Sequence, residues 1–441
     1  MRITLIRSRI GHLHSKEYID EGRMEPLELA VLAGLIPNDI DVLMYDDRVE
    51  KIPFDEHTDL VAITCDIYTA KRSYEIAAEY KKRNIPVIIG GMHASLVPDE
   101  VIQYADSVFV GDAENRFHEV IADLKAGKLK QKYQSFTCNP QQGFFPRREI
   151  YQGKKYLPIN LLQFGRGCPH SCSFCAISRY FGQKHYFRQI DQVLEEVDKC
   201  EHKLLFFVDD NITANRKMAK ELFQELSKMN IQWFGQAAID MTDDKELMKL
   251  MERSGCIGQV VGFESITPEG LQNYNKSINF NQPSQYAKAL TILKDHGIMI
   301  WAAMTIGHDA ETHDTIKRTM EFTIKNKFAF AAFNILMPYP TTPWYEQLKA
   351  ENRLLFDGKW WLHPEYTVNH AAFLPKNMSP DELTNHCFDL RKNFNSYLNI
   401  SRRVMETAVN RKFRSRMFSL LRYGMLFRIE ALKKQGLKLG I

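Results

Sequence analysis

The stretch Gly165-Arg-Gly-Cys168-Pro-His-Ser-Cys172-Ser-Phe-Cys175 places three cysteines in the spacing C-x3-C-x2-C, directly after residues 160–164, which read as a strand. Three thiolates on one tight loop suit an iron–sulfur cluster. Zinc ordinarily takes four nitrogen or sulfur ligands in paired spacing, and no second pair follows here; a structural zinc loop is the alternative. His170 is an awkward fourth ligand because it stands between two of the cysteines. A [4Fe–4S] cluster held by three thiolates keeps one iron open to a substrate or cosubstrate, which suits a catalyst.

On either side of this loop the chain alternates strand and helix signals. Strand patterns at 160–164, 204–208, 232–238, 258–263, 298–304 and 330–336 are separated by helical patterns at 189–199, 217–229, 244–253, 283–295 and 312–325. Six such units predict a partial barrel with its chemistry at the carboxyl ends of the strands. An earlier series has strands at 3–6, 42–45, 60–64, 87–89 and 108–110, with helices at 26–35, 70–82, 98–104 and 115–124. That alternation predicts a doubly wound parallel sheet, Rossmann-like, whose ligand sits beyond the carboxyl ends of the strands. The loops there carry Thr64-Cys65-Asp66, Gly90-Gly91-Met-His93-Ala-Ser95 and Gly111-Asp-Ala-Glu114. The fold class is therefore α/β: a first sheet over 1–125, a basic linker over 126–157, the partial barrel over 158–345, and a helical region over 346–441.

The 441 residues are 44% apolar and 25% charged, which is ordinary globular usage and excludes a disordered or collagen-like chain. A net charge of +4 gives no reason to expect nucleic acid as a partner. The N-terminal Met1-Arg-Ile-Thr-Leu-Ile-Arg7 reads as a strand and lacks the apolar core of a signal peptide, so a cytoplasmic location is expected. Thiols stay reduced there. The scattered Cys65, Cys138, Cys200, Cys256 and Cys387 then read as buried structural thiols.

Cys168-x3-Cys172-x-Phe-Cys175 after a barrel strand resembles the radical S-adenosylmethionine (SAM) superfamily, and the preceding sheet looks like the cobalamin-binding domain fused to many of its members. The resemblance implies that Cys168, Cys172 and Cys175 ligate a [4Fe–4S] cluster whose open iron chelates SAM, with Phe174 near the adenine. It implies SAM contacts at Asp209 or Asp210, which end the second barrel strand, at Glu264 and Ser265 after the fourth, and at Gln236 and Gly307. A carboxylate accepts charge-assisted bonds from the SAM ammonium, although an Asp/Asn cap of the next helix is the alternative for Asp209 and Asp210. Cobalamin contacts are implied at Thr64, Gly90, Gly91, His93, Ser95, Gly111 and Glu114. Asp55-Glu-His57 begins like a cobalt-ligating D-x-H-x-x-G motif, but Leu60 replaces the glycine and the triplet precedes a strand. The expectation is base-off cobalamin with no histidine on cobalt.

Two departures from the family pattern stand out. In Pro338-Tyr-Pro-Thr341-Thr-Pro343, Thr341 replaces the usual glycine of Pro-x-Pro-Gly-Thr-Pro, and Gly111-Asp-Ala-Glu114 replaces Gly-Glu-Gly-Glu. The implied activity is C-methylation of an unactivated carbon through a 5′-deoxyadenosyl radical and methylcobalamin. A non-methylating oxidative cyclisation or ring rearrangement is the second reading, and a non-enzymatic redox or cobalamin sensor a remote third. The implied partners are a small-molecule or lipid-like substrate and an electron donor such as flavodoxin or ferredoxin.

Residues 401–441 hold eleven Lys and Arg against Glu406 and Glu430, with Met417, Leu420, Leu421, Met425, Leu426 and Ile429 at helical spacing. Such a segment either meets an anionic membrane peripherally or packs on the barrel with a solvated basic face. Trp344, Trp360 and Trp361 are read as a pocket near the barrel mouth or as core.

Overall fold

A computed structural model describes residues 1–13, 16–17, 23–135, 145–276, 283–409 and 412–440. Cys138 lies outside them.

The first part runs β1 (Arg2–Arg7), β2 (Gly11–Leu13), β3 (Lys16–Glu17), α1 (Leu27–Leu35), β4 (Asp41–Asp46), β5 (Leu60–Thr64), α2 (Ala70–Lys81), β6 (Val87–Gly90), α3 (Met92–Leu96), α4 (Pro98–Val101), β7 (Ser107–Val110), α5 (Phe117–Lys125) and β8 (Lys132–Gln134). Its six-stranded sheet has the order β4-β1-β5-β6-β7-β8, all parallel. The chain reverses direction across the sheet between β1 and β5, the place where such sheets bind ligands. Alternate residues of the apolar strands feed two cores, as the period of two requires. Ile3, Leu5, Leu60 and Ala62 pack beneath α1 and α5, whereas Ile6, Val61 and Ile63 join a core continuous with the second sheet.

The second part contains β9 (Asn160–Leu162), β10 (Gly165–Gly167), α6 (Ala176–Phe181), β11 (His185–Phe187), α7 (Ile190–Lys199), β12 (Leu204–Phe207), α8 (Arg216–Leu226), β13 (Gln232–Ala237), α9 (Lys245–Arg253), β14 (Cys256–Glu264), α10 (Pro268–Asn273), α11 (Pro283–Asp295), β15 (Met299–Ile306), α12 (His313–Lys325) and β16 (Phe330–Ile335). Its six parallel strands follow in chain order from β9 through β12 to β16, the arrangement of a partial (β/α) barrel. The helical region adds α13 (Pro343–Ala350), α14 (Pro380–Phe394), α15 (Tyr397–Val409) and α16 (Met417–Lys433), and ends in β17 (Lys438–Leu439). β17 pairs antiparallel with β2, tying the last residues to the first part.

Two expectations change, and a third is decided between its two readings. The stretch 126–157 is not all linker, because β8 pairs with β7 as the sixth strand of the first sheet. The strand expected over 160–164 stops at Leu162, and Gly165–Gly167 forms a separate hairpin with His185–Phe187. Trp344, Trp360 and Trp361 are buried core residues; Trp361 Nε1 donates to Glu100 (2.9 Å) and Trp360 Nε1 to the Pro338 carbonyl (3.0 Å).

Glu100 ties the helical region to the first sheet. Its buried carboxylate accepts from Trp361, from the Tyr74 hydroxyl (3.0 Å) and from Lys359 (3.1 Å), and lies 3.3 Å from His93 Nε2. Burial alone would raise its pKa, but the donors from His93, Trp361 and Lys359 prevail and hold it at about 2, against an ordinary 4.5. A depressed carboxyl contributes stability that is present above the unfolded value and lost as pH falls through the folded one. Glu100→Gln is therefore expected to unfold more easily than the parent at neutral pH, by on the order of 3 kcal/mol. The gap should hold above pH 4.5 and close between pH 4.5 and about 2, as read by denaturant titration across pH.

The substitution in the Pro-x-Pro turn has a measurable consequence. Thr341 sits at φ 67°, the left-handed region that disfavours β-branched residues, and its buried hydroxyl makes no hydrogen bond. Thr341→Gly is expected to stabilise the protein by about 1 kcal/mol, because relief of left-handed strain exceeds the entropy cost of glycine. Thermal unfolding checks the sign; a lower Tm would contradict it.

Candidate functional site

The cysteine loop leaves β10 and returns through α6, and its backbone is held from several sides. The Ser173 N–H donates to the Tyr274 carbonyl (3.0 Å), the Trp344 N–H donates to the Ser173 carbonyl (3.0 Å), and Asn275 Nδ2 donates to the Ser171 carbonyl (3.0 Å). Cys168, Cys172 and Cys175 are reduced and half-buried. Burial pushes the Cys168 and Cys172 thiols up to about 11, and at Cys172 the Lys276 ammonium opposes that rise. Among the described residues no three Cys, His, Asp or Glu side chains already stand at ligand spacing around one point. The donor set nevertheless fits an iron–sulfur cluster: three thiols on one loop that feel one another's charge, beside one cation, which binding of a metal would deprotonate. Phe174 is half-buried, with its ring edge-on to Tyr274 at 5.1 Å.

The two acids after β12 hold the strand that leads into the loop. Asp209 is fully buried and accepts from the N–H groups of Phe164 (3.0 Å) and Gly165. Burial pushes its carboxyl up to about 7 in spite of those bonds. Asp209 is thus a backbone anchor, both oxygens being engaged, and not the open ammonium acceptor that was expected. Asp210 accepts from the Gly167 N–H (2.8 Å) and also lines a cavity. Neither acid caps α8, a role that falls to Asn215.

The remaining expected SAM positions separate. Glu264 lies at φ 60° where the β14–β15 register shifts, a bulge that re-aims its side chain. Its carboxylate accepts from Lys276 (2.7 Å) and Thr305 (2.6 Å) and is buried. Ser265 closes a turn by accepting from the Thr267 N–H (3.2 Å). Gln236 is partly exposed near the end of β13. Gly307, at φ 115°, packs against the helical region; a Cβ there would lie 2.9 Å from Leu383 Cδ2. That helix contact by itself requires a residue without a side chain at 307.

A cavity of about 500 Å³ opens between the two sheets. Thr64, Gly90, Gly91, Gly111 and Glu114 line it from the first sheet, and Gln163, Arg166, Tyr180 and Asp210 from the second. Its glycine-edged loops and largely apolar wall suit a bulky cofactor. Two expected contacts fall outside it. His93 is buried beside Tyr74, Glu100 and Trp361, because α3 turns its imidazole into the protein. Ser95 staples the loops together, donating to the Gly91 carbonyl and accepting from the Gly111 N–H, both at 2.9 Å. His57 is on the surface ahead of β5.

Arg166, unmarked by the sequence reading, joins the two halves of the site. It pairs with Asp112 (3.1 Å) and Glu114 (2.7 Å), and the Tyr180 hydroxyl donates to Asp112 (2.8 Å). Burial pushes the Asp112 carboxyl up, with Arg166 acting in the opposite direction. Lys276 was missed as well; only its partners across the fold reveal it. An arginine between two glycines at the root of the cysteine motif was the available signal for Arg166.

Two family models match the chain, the B12 binding domain over residues 20–121 and the radical SAM superfamily over residues 162–323. With the parallel sheets and the thiol loop, they define a radical SAM enzyme that carries a B12-binding domain. Bacteriochlorophyllide d C-12(1)-methyltransferase of Chlorobaculum tepidum is 30% identical over 388 residues, which cover 85% of this chain and 83% of the relative. Hopanoid C-2 methylase of Rhodopseudomonas palustris is 25% identical over 376 residues, covering 81% of this chain and 71% of the relative. The fold is that of the cobalamin-dependent SAM radical enzyme OxsB with aqua-cobalamin bound, at TM-score 0.67 and 13% identity over 98% of this chain and 72% of that one. The chain belongs to the cobalamin-dependent radical SAM methyltransferases, whose radical SAM domain takes SAM with a [4Fe–4S] cluster and whose B12 binding domain takes cobalamin.

The Arg166 pairing yields a test. Removing one partner of a buried ion pair leaves uncompensated charge and costs about 3–5 kcal/mol, whereas replacing all partners is far milder. Arg166→Met is expected to destabilise the protein by that amount in urea unfolding. Adding Asp112→Asn and Glu114→Gln should restore most of the loss.

Proposed function

We propose that this enzyme methylates an unactivated carbon of a small, bulky and largely apolar molecule, lipid-like in character. The observation that carries the reading is the single cavity lined on one side by the expected cobalamin loops and on the other by the strand that leads into the cysteine loop. Relatives named for methylating a bacteriochlorophyllide and a hopanoid support a polycyclic substrate class. In this reading the cobalamin-binding part runs from the first residues through β8, which joins its sheet, and the catalytic barrel covers 158–345.

Cys168, Cys172 and Cys175 are the cluster ligands, and Phe174, Asp210, Gln236, Glu264, Ser265 and Gly307 the residues that meet SAM. Thr64, Gly90, Gly91, Gly111 and Glu114 hold cobalamin. His57 on the surface and His93 turned inward support base-off cobalamin without a protein histidine on cobalt. When bound, the cluster with SAM supplies a 5′-deoxyadenosyl radical and cobalamin supplies the methyl group. The chain itself orients the cysteine loop through Asp209, Asp210 and Arg166, and its apolar cavity wall excludes water from reactive species. Flavodoxin or ferredoxin is the expected class of electron donor.

Metabolite extracts of a deletion strain and its parent identify the substrate by a species that lacks one methyl group. With that compound and the reduced, reconstituted protein, S-adenosylhomocysteine is expected to form in step with methylated product. 5′-Deoxyadenosine with a cyclised or rearranged product and no S-adenosylhomocysteine would instead establish the oxidative alternative. A Cys168→Ala, Cys172→Ala, Cys175→Ala variant should lose cluster absorption and both products; a retained full cluster signal defeats the ligand assignment.

A further inference from the structure

We propose that the outer face of α16, with the neighbouring α15, docks on an anionic lipid surface. One face of α16 belongs to the protein: Leu420 is buried, a Cβ on Gly424 would lie 3.4 Å from Ile400, and the Phe427 ring packs on Trp301 (4.7 Å) and Phe330 (5.0 Å). At 100° per residue the opposite face gathers Phe418, Leu421, Met425, Ile429 and Leu432 into one stripe. Phe418 is 75% exposed. Seven of the eleven large apolar side chains that stand exposed among the described residues lie on these two helices: Tyr397, Leu398, Met405, Phe418, Leu421, Ile429 and Leu432.

Charge selects the occupant. Arg422 and Lys433 flank one edge of the stripe and Arg428 the other, while Arg402 and Arg414 are exposed nearby. The two acids in this segment are engaged, Glu406 with Lys327 (3.0 Å) and Glu430, buried, with Lys434 (3.1 Å). A second copy would bring like charge against like charge. An anionic bilayer offers an apolar interior beneath a negative surface, the combination that an apolar stripe edged by arginine and lysine fits. No helix among the described residues is long and apolar enough to cross a membrane, so the contact is peripheral. Of the two sequence readings of this segment, packing on the barrel describes the inner face, whereas the outer face is apolar instead of merely basic.

The protein is expected to float with vesicles of equimolar phosphatidylcholine and phosphatidylglycerol, to bind phosphatidylcholine alone far more weakly, and to dissociate as salt rises. Arg422→Gln with Lys433→Gln should weaken binding by about 25-fold, roughly fivefold for each charge removed near the surface. Phe418→Ser, at an exposed position with no structural task, should weaken it about tenfold or more. Thermal unfolding of each variant should match the parent. Absence of binding to the mixed vesicles, or equal binding by parent and both variants, would overturn the proposal. So would sedimentation showing a dimer that Phe418→Ser dissociates, since a second copy would then cover the face.

Discussion

A guanidinium held between two carboxylates, largely out of water, governs how the two sheets meet. Arg166 leaves the short strand at the root of the cysteine loop and reaches Asp112 and Glu114 on the loop after β7. Taking three charges out of water is costly, and an apolar replacement of similar volume is often as stable. We read the triad as a device for registration: charges a few ångströms apart in a poorly screened site tolerate little displacement. It places the loop bearing the thiols at a fixed offset from the loops that line the cofactor cavity. Tyr180, one turn into the helix after Cys175, bonds the same Asp112 and fixes the other end of the loop to the same point.

The backbone on the entry side is fixed as tightly. Asp209 and Asp210 take the N–H groups of Phe164, just ahead of β10, and of Gly165 and Gly167 within it, which would otherwise lie unpaired in a buried place. An Asp-Asp pair at the end of a strand looks the same in sequence whether it meets a ligand's ammonium or its own chain's amides. Only the fold, which brings residues 164–167 beside 209–210, separates the two. Glu264 carries the same lesson in reverse, since its partner Lys276 follows a short helix that no periodicity ties to the strand.

What could be read from sequence follows the range of the interactions involved. The strands of both sheets and the helices between them appear as local periodicities, and their parallel pairing follows from the helices that separate them. The cysteine spacing is local too. β8 and the β10–β11 hairpin escaped because three residues carry no period; both exist through pairing with distant strands. His93 was misplaced for a related reason. The five-residue α3 begins immediately after Gly91, and a helix that short leaves too faint a pattern to show that residue 93 turns inward.

The helical region is easily mistaken for an appendage, yet its mounting argues otherwise. At the start of α16, Arg416 donates to the Ile257 carbonyl (3.1 Å), and Lys412 pairs with Glu252 (2.8 Å), so the helix is pinned to the barrel. At its end β17 pairs with β2, and His12 Nδ1 lies 2.8 Å from the Gly440 carbonyl. Both ends and the inner face are thus fixed to the two sheets. A helix held in that way cannot rotate to bury Phe418 or Leu421, and the orientation of its outward stripe is set by the same framework that positions the cavity. The apolar exposure is therefore a property of the folded enzyme, present whether or not anything covers it, and not a consequence of a loose terminus.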